Sequence, residues 1–182
     1  MKKLLQTVLF VGMLVIACQS ALGQRVALRT NTLDWATLTP NFTLEARLSQ
    51  RFTLGFGLAG NPIKVTVRDT RFNSFRFMPE LRYWFNRPMA KHYAGVALLA
   101  SSFDLVHKDT RKEGDIFGGG LTYGYALVLG RHWNVEFTAG AGLGYARYFD
   151  YSQSERKPSS PNVNKLMVIP MNIGVSFTYI FK

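Results

Sequence analysis

The sequence predicts an all-β protein: an eight-stranded antiparallel up-and-down transmembrane β-barrel preceded by a signal peptide. Three observations carry that prediction. Apolar residues alternate with small or polar ones at a period of two through most of the 182 residues. Mean hydropathy is close to zero, and no apolar run reaches the roughly 20 residues that a spanning helix needs. Short and long links alternate between the alternating segments, as in outer-membrane barrels.

Residues 4–17 are the one long apolar run, and they follow Lys2 and Lys3. With small residues Ala21 and Gly23 beyond them, they read as a signal peptide cleaved before Gln24. The chain then divides into a signal peptide, 1–23, and an outer-membrane barrel domain, 24–182. Val15-Ile16-Ala17-Cys18 offers the alternative of a lipobox with Cys18 lipidated. Cleavage at Gln24 removes the single cysteine and excludes disulfides, thiolate catalysis and zinc–cysteine sites. The formal charge of +11 falls to about +9 once Lys2 and Lys3 leave. Its cations are scattered over turns, loops and strands with no basic run, which points away from nucleic acid and toward an anionic leaflet.

Taken in order, residues 26–32 give a first strand. Phe42, Leu44, Ala46 and Leu48 alternate with Thr43, Glu45 and Arg47, then Phe52, Leu54, Phe56 and Leu58 alternate with Thr53, Gly55 and Gly57. These two make a hairpin across 49–51. Phe75, Phe77, Leu81, Tyr83 and Phe85 alternate with Arg76, Met78, Glu80, Arg82 and Trp84. Pro79 in that strand cannot donate to a ladder, so a bulge is expected there. Residues 93–103 are a weaker strand. Leu121, Tyr123, Tyr125, Leu127 and Leu129 form a sixth outward face, and 133–146 a seventh. From Ile169 the odd positions through Phe181 are apolar and read as one continuous outward face.

A soluble barrel would invert the two faces, so alternation alone does not separate lipid from water. The faces opposite the apolar ones carry glycine and a few charges of both signs, which suits a narrow filled lumen. Trp35, Trp84, Phe85, Trp133, Tyr148, Phe149 and Tyr179 are expected in interfacial girdles. Short links at 49–51, 86–91 and 130–132 belong on the periplasmic side with both termini, and long ones at 60–73, 104–114 and 150–165 outside. Tyr179-Ile180-Phe181-Lys182 resembles the aromatic-ended strand that barrel assembly machinery recognises.

Ala27-Leu28-Arg29-Thr30-Asn31, Pro79-Glu80-Leu81-Arg82-Tyr83-Trp84-Phe85, and the stretch from Gly118 to Gly124 leading into Leu129-Gly130-Arg131-His132-Trp133-Asn134 resemble a Bacteroidetes family, domain of unknown function 3575. The likeness covers nearly the whole mature chain through short structural motifs. It implies an exported outer-membrane barrel and carries over no catalytic or binding residue.

Arg29, Glu45, Arg47, Arg76, Glu80, Arg82 and Glu136 fall on the inward phase and predict a salt-bridged plug. A pore or anion site is the alternative, and it would have to break several pairs at once. Cofactors and metals are not expected. Asp104, Asp109, Glu113 and Asp115 miss the EF-hand spacing and are interrupted by Lys108, Arg111 and Lys112. Gly118-Gly119-Gly120 lacks a phosphate-loop ending, and Asn41-Phe42-Thr43 is a chance sequon. Of the three histidines, His92 and His132 read as exposed rings. His107, near Ser101, Ser102, Asp104 and Asp109, would centre a lipid-modifying enzyme if the barrel were one. Lys64, Arg68, Arg71, Arg156 and Lys157 are candidate loop contacts to lipopolysaccharide phosphates or a surface partner.

Overall fold

The computed structural model describes residues 25–61, 65–67, 70–152, 154 and 156–181. The signal peptide 1–23, cleavage before Gln24, lipidation at Cys18, and the candidate contacts Lys64 and Arg68 lie outside these residues. The described chain is all-β apart from one helical turn. In order it forms β1 (Val26–Asn31), α1 (Thr32–Ala36), β2 (Asn41–Arg47), β3 (Phe52–Gly60), β4 (Val65–Val67) and β5 (Thr70–Trp84). β6 (Lys91–His107), β7 (Thr110–Val128), β8 (Trp133–Ser152), β9 (Val163–Pro170) and β10 (Gly174–Phe181) follow.

Every pairing is antiparallel, and neighbours in sequence are neighbours in the sheet from β1 through β3 and from β5 through β9, with β4 folded back onto β5. β10 pairs with β1 on one side and with residues 133–138 of β8 on the other. β9 pairs with residues 141–148 of β8. The ladder therefore returns on itself around eight positions, with β9 and β10 sharing one of them.

The shared position carries a bulge that the sequence does not announce. Pro170 lies opposite Ala141 and Gly174 opposite Thr138, so three residues on this strand face two on β8. Gly174 takes φ +145 there, and a side chain would meet the Asn31 amide. The extra residue reverses the facing. Ile169 and Met171 are buried, whereas Leu166, Val168, Ile173, Phe177 and Phe181 are exposed. The continuous outward face expected from Ile169 is thus two faces joined out of phase. At Pro79 the opposite correction applies: Phe77 pairs with Ala100 and Glu80 with Ala97, so no residue is inserted. The ladder to β3 runs through Phe56↔Pro79, and only the β6 side is interrupted, at the missing N–H.

Two expected external loops, 60–73 and 104–114, contain strand among the described residues. β6 and β7 continue past the apolar alternation to a turn at Lys108 (φ 52) and Asp109, and residues 65–67 pair with 70–72. Charged cross-strand pairs replace apolar ones in the β6–β8 extension. Arg111 bonds Asp104 at 3.0 and 2.8 Å, and Lys112 reaches Asp150 at 3.0 Å. β1 stops one residue early because Asn31 caps α1, its side-chain oxygen accepting from the Leu33 N–H at 2.9 Å. The Asn41 side chain closes the gap that α1 leaves, accepting from the Asn31 N–H at 2.7 Å and donating to its carbonyl at 2.8 Å.

The face turned into the ring is buried and the face turned out is apolar. Leu28, Phe42, Leu44, Phe56, Phe75, Leu81, Val96, Leu98, Phe117, Leu121, Phe137 and Leu143 all project outward. At the end of the ring where the described chain starts at Arg25 and stops at Phe181, aromatic rings make a belt. Phe52, Tyr83 and Phe85 are linked at 5.3 and 5.5 Å, His92 touches Tyr123 and Tyr125, and Tyr179 contacts His132, Trp133 and Phe181. Phe85, Trp133 and Tyr179 sit in that belt as expected. Trp84 does not: it is fully buried, donating to Thr53 Oγ1 at 2.8 Å, because its even position points inward. Tyr148 is also turned in, against Phe103 at 5.9 Å.

Candidate functional site

Five of the seven inward charges meet at one level inside the ring. Arg29 from β1 and Arg82 from β5 face Glu45 from β2, Glu80 from β5 and Glu136 from β8, all at most 2 % exposed. The arrangement repeats three times. Glu45 Oε2 is 3.4 Å from Arg29 and 3.1 Å from Arg82. Glu80 Oε2 is 3.3 and 2.8 Å from the same two guanidiniums, and Glu136 Oε2 is 3.1 and 3.0 Å away. Each carboxylate's other oxygen accepts a threonine hydroxyl: Thr53 at 2.6 Å, Thr122 at 2.5 Å and Thr178 at 2.7 Å. Every glutamate therefore has both oxygens engaged, which is what burying a carboxylate demands.

The sheet supplies this geometry through its register. Arg82, Gly95 and Thr122 lie in one row across β5, β6 and β7. Gly95 is the window through which Thr122 reaches Glu80, since a Cβ there would stand 2.5 Å from Thr122 Oγ1 and 3.1 Å from Glu80 Oε1. The Arg82 guanidinium also lies 4.2 Å over the Tyr93 ring, whose hydroxyl shares a 2.7 Å hydrogen bond with Thr138.

Apolar layers seal the cluster from both ends. Toward the termini, Ala27, Trp84, Met89, Tyr93 and Ala126 pack together with Ile180. Met89 is carried inward by the 85–90 turn, where its φ is 62 and its carbonyl accepts from Asn134 at 2.6 Å. On the far side, Met78, Ala97, Leu99, Ile169 and Met171 pack with Ile116 and Met167. Gly118 and Gly120 of β7 face Gly144 and Gly142 at that level. The far layer is hidden from the alternation, which puts Ile169 and Met171 on the outward phase.

Arg47 and Arg76, expected in the plug, are outside it. Arg47 lies at the end of β2, where its Nε donates to Ser49 O at 2.9 Å. Arg76 sits beyond the far apolar layer and is ion-paired with Asp34 of α1, a partner no strand periodicity foretells. The balance of four cations and three anions thus becomes two guanidiniums against three carboxyl groups.

The candidate enzyme residues are not gathered. His107 Nδ1 bonds Thr70 Oγ1 at 2.7 Å, Ser101 donates to Phe75 O at 3.0 Å, and Asp104 is taken by Arg111. Glu113 is shared by Arg111 at 2.9 Å and Lys157, while Asp109 accepts from Ser152. Among the described residues no group of three His, Cys, Asp or Glu could hold a metal. Hydrogen bonding to Asp104 holds the Arg111 guanidinium above its ordinary range, and Asp150 does the same for the Lys112 ammonium. Of the loop cations, Arg71 and Arg156 are exposed. Lys157 is engaged, stacked 4.3 Å from the Phe149 ring and paired with Glu113, so it is not a free loop tip.

The arrangement is one of closure. Its charges are mutually neutralised to within one and walled by methionine and aromatic layers. A comparison with curated proteins finds no match for the chain. A family model described as "Protein of unknown function (DUF3575)" matches residues 8–181, nearly the whole length, and the chain accordingly belongs to that family.

Proposed function

We propose that this chain is a non-catalytic outer-membrane β-barrel with a plugged polar lumen, whose role is structural or surface interaction. The observation that carries the reading is the inversion of its faces: charged and hydroxyl side chains are buried inside the ring while leucine, phenylalanine and valine project outward all around it. In water such an outer face far exceeds the apolar patch a monomer tolerates; in lipid it is the expected wall.

The dimensions agree. On β7 the outward face is apolar from Phe117 to Leu127 and becomes charged at Asp115 and Glu113. Ten steps of about 3.3 Å at a tilt of about 40° give about 25 Å, the height of a barrel's apolar band. On β8 the same boundary falls between Tyr145 and Arg147, opposite Phe117 and Asp115. The aromatic belt then marks the periplasmic interface, with both termini beside it, and the charged β6–β8 extension stands in the external medium. Arg71 and Arg156, on that external side, are suited to lipopolysaccharide phosphates. The aromatic end of β10 is suited to barrel assembly machinery, and export runs through the 1–23 signal peptide.

The test is fractionation of the full chain, a heated-against-unheated gel of the purified protein in micelles, and planar-bilayer conductance. The proposal expects an outer-membrane protein beginning at Gln24, a heat-modifiable band and no measurable conductance. A water-soluble protein would overturn the membrane assignment, and steady conductance would overturn the plug.

A further inference from the structure

The ring is complete only in its terminus-side half. β1 ends at Asn31 opposite Ser176, below the bulge, so β9 has β8 on one side and, among the described residues, no strand on the other. The Met171 N–H donates to Gly140 O at 3.1 Å. In an antiparallel ladder, alternate residues share both backbone groups with the same neighbour. The odd residues of β9 therefore serve β8, and the N–H and C=O groups of Asn164, Leu166 and Val168 face the open side. Pro170 is also even, so its missing N–H falls on the open edge and leaves the β8 ladder intact.

The register sets the depth of this edge. Leu166 pairs with Tyr145 and Val168 with Leu143, inside the outward apolar band, while Asn164 pairs with Arg147 above it. Leu166 and Val168 are 66 % and 74 % exposed. Amides that have no strand partner among the described residues find no water at that depth, and hydrocarbon excludes an open sheet edge.

We propose that the open edge of β9 is a strand-addition site, occupied in the membrane by an extended segment of another exported protein. This inference rests on the membrane reading above. An extended chain is the occupant that matches the edge, because it offers alternating donors and acceptors at strand spacing together with an apolar outer face. A second copy fits poorly: two copies in the same orientation about an axis along the membrane normal tilt their strands by about 40° in opposite senses. Their edges would then cross at about 80° instead of forming a ladder.

The test uses the full-length exported protein with a benzophenone amino acid at Leu166, and amide exchange of 164–168 in native membranes and after purification into micelles. The inference expects protected Leu166 and Val168 amides in membranes, with exchange faster by at least about tenfold once the partner is stripped. It also expects a discrete adduct whose partner peptide is an extended segment. Val168→Pro should abolish both signals while keeping the heat-modifiable band, because the lost N–H is an edge donor. Met167→Pro, which removes a donor to β8, should lose the band. Equal exchange in both preparations, an adduct to another copy of this chain, or an adduct that survives Val168→Pro would each overturn the inference. Absence of a heat-modifiable membrane form in the unsubstituted protein would instead overturn the membrane reading.

Discussion

Arg82→Met tests the buried cluster most directly. Arg82 lies 2.8–3.1 Å from three carboxylates, and methionine fills most of its volume without its charge. The substitution leaves three carboxyl groups around Arg29 alone. Removing one partner from a buried ion pair costs about 3–5 kcal/mol, and loss of the contact with the Tyr93 ring adds about 0.5–2 kcal/mol. Four kcal/mol corresponds to a change of roughly 1,000-fold in the folding equilibrium. Glu136→Gln acts in the other direction on charge. It brings two guanidiniums against two carboxylates, and the amide can turn its oxygen to the arginines and its NH2 to Thr178. Its expected cost is below about 1.5 kcal/mol. The double variant should be less destabilised than the two single costs together, with a coupling of about 1–3 kcal/mol. Equilibrium urea unfolding in lipid vesicles, read by gel mobility and by tryptophan fluorescence, measures all three. If Arg82→Met costs under 1 kcal/mol, or no more than Glu136→Gln, the cluster is not the paired, dry network inferred from its geometry.

Three further outcomes follow from particular residues. Gly95→Val should destabilise by about 1–3 kcal/mol in the same unfolding assay, because its side chain occupies the path between Thr122 and Glu80. Thr122→Ala in that background should recover part of the loss. Leu121→Arg, outward near the middle of the apolar band, should cost about 2–4 kcal/mol in vesicles, whereas Asp115→Arg at the exposed position above the boundary should fall within about 1 kcal/mol; equal costs would remove the boundary. Arg111→Ala breaks the Asp104 and Glu113 contacts in the extension, and should change unfolding by less than about 1 kcal/mol while raising amide exchange at 104–113.

Much of the fold was legible because a strand's facing has a period of two and is written residue by residue. Phe42 to Leu58, Phe75 to Phe85 and Leu121 to Tyr145 each show an apolar set against a small or polar one; the structure pairs the first and the last as hairpins and sets the second between β3 and β6. The buried charges Arg29, Glu45, Glu80, Arg82 and Glu136 were legible for the same reason. The β6–β8 extension was not, since cross-strand ion pairs hold it and both of its faces carry charge. A sheet held by ion pairs on both faces needs no apolar alternation.

What the sequence determined by itself is local: all-β character, the strand order and the polar phase of most strands, because alternation and turn chemistry act over a few neighbouring residues. The tertiary structure decided what depends on distant residues meeting. Whether an inward arginine joins the cluster depends on its height in the ring, and this separates Arg82 from Arg47 and Arg76. Whether odd or even residues of the last strand face inward depends on a single inserted residue at the bulge, fixed by pairing with β8 and by Gly174 against Asn31. Periodicity gives a side chain's face; only the closing of the ladder gives its level and its partners.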